Sequence, residues 1–305
     1  MRVLAVNAGS TSLKLHLVDG DDATAVEELV EADAVGHRVV HGGPRFREPV
    51  LVDDDVERAI EGLAGIAPLH NVPALAALGE ARRALPGVPH VAVFDTAFHA
   101  TLPDRASTYA VPERWRGEWG VRRYGFHGLS VEWVASEVRV PRLVVCHLGG
   151  GCSVTAVLDG RSVDTTMGFS PLEGVPMATR SGSIDPGALL HLLRERGLTA
   201  DELDHALTHE SGLLGLGGST DPRELAGTLA LDVYTYRIAG AVAAMAVALG
   251  GIDALAFTGG VGEGSEDVRG RVSGLLGFLG GFEVVVVPAR EELVIARAVR
   301  RTLAG

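Results

Sequence analysis

Two stretches of this sequence carry the residue types that hold phosphate. Val3 to Gly20 reads VLAVNAGSTSLKLHLVDG, Leu143 to Gly160 reads LVVCHLGGGCSVTAVLDG, and the two align without a gap. Each has an apolar run, a polar residue (Asn7, His147), a loop of small residues, a second apolar run and a closing Asp-Gly. The first loop is Gly9-Ser10-Thr11-Ser12 with Lys14 just beyond it, and the second is Gly149-Gly150-Gly151-Cys152-Ser153. Glycine and serine let a backbone come close to a ligand, and successive N–H groups in such a turn favour an anion. One copy alone reads equally well as an ordinary hairpin turn. Two matching copies facing each other across a cleft suit the phosphate chain of a nucleotide.

Other chemistry-bearing residues stand at the ends of apolar runs. Asp95 follows Val88–Phe94, where a carboxylate either faces a ligand beyond a strand or caps a helix. Arg122-Arg123-Tyr124-Gly125-Phe126-His127-Gly128 reads as an anion-facing loop or as an exposed basic turn. Gly259-Gly260-Val261-Gly262-Glu263-Gly264-Ser265 follows the run Ala254–Thr258, as in a nucleotide-binding turn that opens a helix near Glu266. The long stretch 163–187, poor in regular periods, reads as a functional loop.

The elements that position these groups follow from the patterning. Each copy reads as strand, tight turn, strand. Asp21 to Asp33 reads as a surface connection, Val35 to Gly43 as a strand closed by two glycines, and Asp53–Ala64 and Ala74–Leu85 as helices. Helices are expected at 130–137, 189–196, 200–209, 231–249 and 291–303, and a last strand at 284–287. A chain of 305 residues exceeds one usual core, so two domains are expected, in agreement with the internal copy. The net charge of −12 argues against a nucleic-acid partner. The longest apolar run, Ile238 to Ile252, falls short of the ~20 strongly apolar residues of a membrane span and reads as a buried helix, so no membrane is expected. Two cysteines, no zinc-type spacing and no secretory pattern at the start suit a reduced, cytoplasmic setting.

An ordered series of motifs resembles the acetate kinase family, within the superfamily of sugar kinases and actin. It runs through NAGSTSLK, GHRVVHGG, APLHN, FDTAFHATLP, RRYGFHG, HLGGGCS, DTTMGFSPLEGVPMATRSGSIDPG, ESGLLGLGGSTDPR, FTGGVGEGS and EELVIAR. The resemblance implies an α/β fold of two duplicated, ribonuclease H-like (actin-like ATPase) domains. Each would be a mixed five-stranded sheet flanked by helices, with the nucleotide in the cleft between them. The expected division is 1–97 plus 265–305 for the first domain and 98–264 for the second.

The implied reaction is reversible transfer of the γ-phosphoryl group of ATP to a short-chain carboxylate, acetate or propionate, giving an acyl phosphate and ADP. Arg38 and Arg180 match the family's substrate-site arginines, and His127 the donor to the transferring phosphoryl group. Asp95, Glu263 and Asn7 match the groups that organise Mg²⁺. Ser10, Ser12 and Lys14 lie on the first phosphate hairpin, His147, Gly149, Gly150 and Gly151 on the second. Asp221 and Arg223 match the adenosine segment, with Gly259, Gly260 and Gly262 opposite. Val40, Leu69, Phe126 and Pro171 match a small apolar cup for the acyl chain. A homodimer through the second domain is implied too, and the helix from Leu231 to Leu249 is a candidate for its contact.

Three departures lie near the chemistry. Gly150 replaces the Asn of the usual HLGNG, Ser183 the first Asp of GDIDP, and Gly264 the Asn of GENS. The chain is also shorter than usual, chiefly between Lys14 and His37. These departures leave open a kinase for a different or larger carboxylic acid, or a nucleotide-binding homologue without transfer activity.

Overall fold

The structure is a computed structural model that describes residues 1–9, 13–63 and 68–305, the side chains of 68–70 excepted. The chain forms two compact units. Unit 1 comprises Met1–Thr101, Ala110–Trp133 and Ala289–Gly305, and unit 2 comprises Leu102–Tyr109 and Val134–Pro288.

The sheet of unit 1 contains β1 (Arg2–Ala8), β2 (Leu13–Asp19), β3 (Asp22–Val26), β4 (Ala34–Val39), β5 (Val50–Leu51) and β6 (His90–Phe94). Their order is β3-β2-β1-β4-β6-β5, with β1, β4 and β6 mutually parallel and the others antiparallel to their neighbours. β5 is a two-residue edge strand and accounts for the sixth strand where five are expected. β3 lies inside the stretch expected as a surface connection. Its residues are mostly exposed, so its alternation carries no apolar signal.

Both faces of the central strands are covered, so they read as continuous apolar runs. On β4, Val35 packs in a cluster with Leu4, Val6 and Ala81, the last on the helix Pro68–Ala84. Its neighbour Gly36 faces the opposite way, against Ile295 and Val299 of the terminal helix Glu291–Ala304. The helix expected from Ala74 starts six residues earlier and runs through Pro73.

Unit 2 contains β7 (Arg142–Leu148), β8 (Cys152–Leu158), β9 (Arg161–Thr165), β10 (Ala254–Thr258) and β11 (Glu283–Val286). Their order is β11-β10-β7-β8-β9, with β7, β10 and β11 parallel. Read from the other edge, this is β9-β8-β7-β10-β11, the same antiparallel meander plus parallel extension as β3-β2-β1-β4-β6. The duplication seen in the two hairpins therefore extends to both sheets. Strand β9 occupies the start of the stretch expected to be loop.

The division into units departs from the expected boundaries at 97/98 and 264/265. Ala110–Trp133 packs within unit 1. The segment 265–288 stays in unit 2, because β11 pairs with β10 and the helix Glu266–Gly274 packs on Leu229–Leu249. The return to unit 1 begins at Ala289. By length and composition Leu229–Leu249 is long and apolar enough to cross a membrane, yet half of its apolar window is buried. It packs on β7, β8 and β9 with Tyr234, Ile238 and Val242 inside.

Candidate active site

In unit 1 the polar site residues collect at the C-terminal ends of the parallel strands, the usual ligand-facing edge of such a sheet. Asn7 stands near the end of β1, Arg38 near the end of β4, and Asp95 directly after β6. Arg38 Nε donates to Asp95 Oδ1 at 3.1 Å and Nη2 to Oδ2 at 2.6 Å, while Nη1 donates to Asn7 Oδ1 at 3.0 Å. Asn7 Nδ2 donates to Glu291 Oε2 at 2.7 Å, and that carboxylate lies 3.7 Å from Arg38 Nη1. Burial opposes the Arg38 charge, but the Asp95 and Glu291 carboxylates outweigh it and raise its pKa. Burial also pushes the Asp95 carboxyl up, against the pull of Arg38 and of a hydrogen bond from the His127 N–H. A two-pronged guanidinium contact is the geometry of an ionised carboxylate.

His127 has a left-handed backbone, φ 60°, which aims its N–H at Asp95. The preceding carbonyl, of Phe126, accepts from His99 Nε2 at 2.9 Å, so that nitrogen carries the proton. Val40 and Phe126, the unit 1 members of the expected apolar cup, are both buried. The side chain of Leu69 lies outside the described residues, as do Ser10 and Ser12. Lys14 is exposed and pairs with Asn7 across β1 and β2, on the same face of the hairpin.

In unit 2, His147 stands near the end of β7 opposite Ser153 on β8, and the turn between the strands is closed by Gly149 N–H donating to the Gly151 carbonyl at 3.0 Å. A cavity of about 360 Å³ opens beside this turn, lined among others by Gly149, Gly150, Ala178, Asp221, Arg223 and Gly260. The structure thus brings the second hairpin, the Asp-Pro-Arg segment and the Gly259–Gly262 segment to one place. Gly259 and Gly262 are buried and do not line the cavity. The glycine segment is itself a short helix, Gly259–Gly264, ahead of the expected one at Glu266. Asp221 accepts from the Arg223 backbone N–H at 2.9 Å and from its guanidinium, and this pairing lowers the Asp221 pKa.

Arg180 is half-buried, and its Nη1 donates to the Pro171 carbonyl at 2.7 Å. No carboxylate among the described residues pairs with it. Burial lowers its pKa, only partly offset by the Cys152 thiol. Such a guanidinium is stabilised by an arriving anion. Pro171 is therefore both the expected wall of the acyl cup and the carbonyl that positions Arg180.

Glu263 belongs to unit 2, where its Oε1 accepts from the Gly259 N–H at 3.0 Å and closes the glycine turn. The carboxylate that meets Asn7 is Glu291, in the first turn of the terminal helix. The motif EELVIAR contains Glu291, but no residue of that motif was assigned a site role from the sequence. Its acid at a helix N-terminus was the available signal.

Comparisons with known proteins point to one family. The acetokinase family model matches residues 21–285. An acetate kinase of Protochlamydia amoebophila is 46% identical over 85% of this chain and 69% of its own length. One of Deinococcus deserti is 47% identical over 99% of this chain and 89% of its own. Among solved structures, a propionate kinase from Francisella tularensis superposes with a TM-score of 0.91 at 31% identity, covering 97% of this chain and 98% of that one. An acetate kinase from Porphyromonas gingivalis gives 0.89 at 32% identity, covering 99% of each. The chain belongs to the acetokinase family.

Proposed function

We propose that the chain phosphorylates a short-chain carboxylate, acetate or propionate, with ATP, forming an acyl phosphate and ADP. The observation that carries this reading is Arg180, a half-buried guanidinium without a carboxylate partner among the described residues, bonded to a wall of the expected acyl cup. A nucleotide binder without transfer activity has no use for such a group.

In this reading a carboxylate oxygen attacks the γ-phosphorus in line. The new O–P bond forms as the bond to the β-phosphate bridging oxygen breaks, and ADP leaves. The attacking group is already an anion, so no general base is required, and positioning and charge neutralisation carry the catalysis. Arg180 and Arg38 supply planar forks for the carboxylate and the transferring group, and His127 donates to the phosphoryl oxygens. The hairpins hold the phosphate chain, and the cavity beside Gly149 takes the adenosine. On the motif resemblance we assign the cup to Val40, Leu69, Phe126 and Pro171. One added methylene changes binding by only ~1–3 kcal/mol, so propionate competes with acetate.

A role for Mg²⁺ is supported in unit 1 by its oxygen donors: the Asn7 amide and the Asp95 and Glu291 carboxylates gather about one guanidinium, leaving a net negative charge. Asn7 and Glu291, with Asp95 behind Arg38, would hold the ion, and Glu263 supports the glycine turn instead. Bound Mg²⁺ supplies neutralisation of phosphate charge. We further infer a homodimer, supported by the exposed Leu229, Tyr236 and Val247 on the long helix of unit 2. A reducing cytoplasmic setting is supported by the two unpaired buried cysteines.

The test is trapping of acyl phosphate as hydroxamate from Mg-ATP and a panel of acids from acetate to longer and branched ones. A signal with acetate or propionate is expected. Silence across the panel while ADP still binds would overturn the reading.

A further inference from the structure

The Arg122-Arg123-Tyr124 segment has no part in the transfer described above, yet it lines a cavity of about 230 Å³ within unit 1. Arg47, Thr96 and His99 form other parts of its wall, and no lining residue is a carboxylate. That is notable in a chain of net charge −12. Arg47 is fixed by donation from Nη2 to the Ala100 carbonyl at 2.5 Å. Arg122 lies over the Tyr124 ring, 5.9 Å from its centroid, and donates from Nε to the Arg123 carbonyl at 3.5 Å. Neither Arg47 nor Arg122 has a carboxylate partner among the described residues, whereas Arg38, Arg142 and Arg223 each grip one.

The remaining wall is neutral and donor-rich. Burial lowers the His99 pKa to about 4, so its ring is uncharged at neutral pH. Thr96 Oγ1 accepts from the Gly42 N–H at 3.0 Å, which leaves its hydroxyl proton available to donate. Guanidiniums held in place before the ligand arrives bind phosphate oxygens in a planar fork. The volume is below the ~300 Å³ at which drug-sized ligand pockets begin, which selects a small ligand.

We propose that this cavity is a second anion site, separate from the transfer centre, for a small polyanion of the pyrophosphate or phosphomonoester class. It borders the catalytic residues through the chain itself: Thr96 follows Asp95, and Tyr124 leads to His127.

The test is the arginine side-chain N–H spectrum of nitrogen-labelled protein, titrated with sodium pyrophosphate in the absence of magnesium. Signals are assigned with Arg47→Lys and Arg122→Lys. The Nε–H signals of Arg47 and Arg122 are expected to shift together along one saturation curve, and sodium chloride of equal ionic strength leaves them in place. Arg122→Ala should weaken the curve read at Arg47 by about tenfold or more, and Arg180→Ala should leave it within about twofold. Signals that stay fixed while other arginines saturate, or a curve lost in Arg180→Ala, would overturn the proposal. The readout does not depend on phosphoryl transfer, so its failure is distinct from failure of the kinase reading.

Discussion

Arg38 grips both oxygens of Asp95, with side chains only 14% and 1% exposed, across the neighbouring ends of β4 and β6. The pair gives Arg38 a structural role besides the substrate-site role proposed for it. Arg38→Ala leaves a buried carboxylate without its partner, a change that costs ~3–5 kcal/mol. Stability to urea and hydroxamate formation should therefore fall together. Arg38→Lys should regain part of the stability but little of the activity, because an ammonium cannot make the fork. An Arg38→Ala protein as stable as the parent would remove the pair from the account.

Arg180 should behave in the opposite way. It bonds a carbonyl and no described carboxylate, so Arg180→Ala should change the urea midpoint little. Transfer should fall by roughly 10²–10³ or more, the scale for losing one donor to a developing charge. ADP affinity by calorimetry should stay within about twofold of the parent. Retained transfer in Arg180→Ala would sink the mechanism.

What the sequence revealed and what it concealed divide along contact distance. The strand pairs of the two hairpins and the places of Asn7 and Asp95 at strand ends were legible because each lies in a local pattern of apolar run and polar residue, whereas Arg38 and His127 were singled out through the motif resemblance. Glu291 was not, because it meets Asn7 only through the return of the terminal helix over a separation of 284 residues. Nor was the unit boundary, since β11 is held by pairing with β10 and not by any local signal. β3 was missed because an exposed edge strand needs no apolar alternation.

Gly150 is a departure that can be reversed. A side chain there meets no atom within 4 Å of its Cβ and its backbone requires no positive φ, so Gly150→Asn should fold normally. With a donor restored on the second phosphate hairpin, kcat/KM for carboxylate should rise, by up to about tenfold. Gly259 is the contrast: φ is 78° and a Cβ would stand 2.7 Å from the Leu148 carbonyl, so Gly259→Ala should destabilise unit 2. Steady-state kinetics and thermal unfolding of the two variants check both halves.

Acid should unfold unit 1 through a histidine pair beside β4. His37 Nε2 and His90 Nδ1 are 2.9 Å apart, and His90 Nε2 donates to the Leu85 carbonyl, so His37 supplies the proton of the shared bond. Burial, helped by His90 and Arg82, lowers the His37 pKa to about 3. The folded pKa lies below the unfolded one, so the unfolded chain binds more protons in the window between about 3 and 6.5. Stability from this group is complete above that window and declines as pH falls through it, with a slope of up to about 1.4 kcal/mol per pH unit. His37→Gln should flatten the slope in urea titrations between these limits. An unchanged slope would assign acid sensitivity to other groups.

Tyr109 should control Arg180 from a distance. Its hydroxyl donates to Glu173 Oε2 and accepts from the Phe169 N–H at 3.0 Å, clamping the segment that carries Pro171. The Pro171 carbonyl in turn receives Arg180. Gly168 leaves the room for this clamp, since a Cβ there would come within 2.0 Å of the Tyr109 oxygen and closer still to Glu173. Tyr109→Phe keeps the ring and removes both bonds, which loosens the loop without touching the nucleotide cavity. A net hydrogen bond is worth ~0.5–1.5 kcal/mol, so kcat/KM for carboxylate should fall by between about fivefold and about a hundredfold for the pair, with ADP affinity unchanged. Because the loop carries both Pro171 and Arg180, the KM for carboxylate should rise and kcat should fall together. A loss confined to thermal stability, with both kinetic constants at parent values, would make Tyr109 a packing residue only.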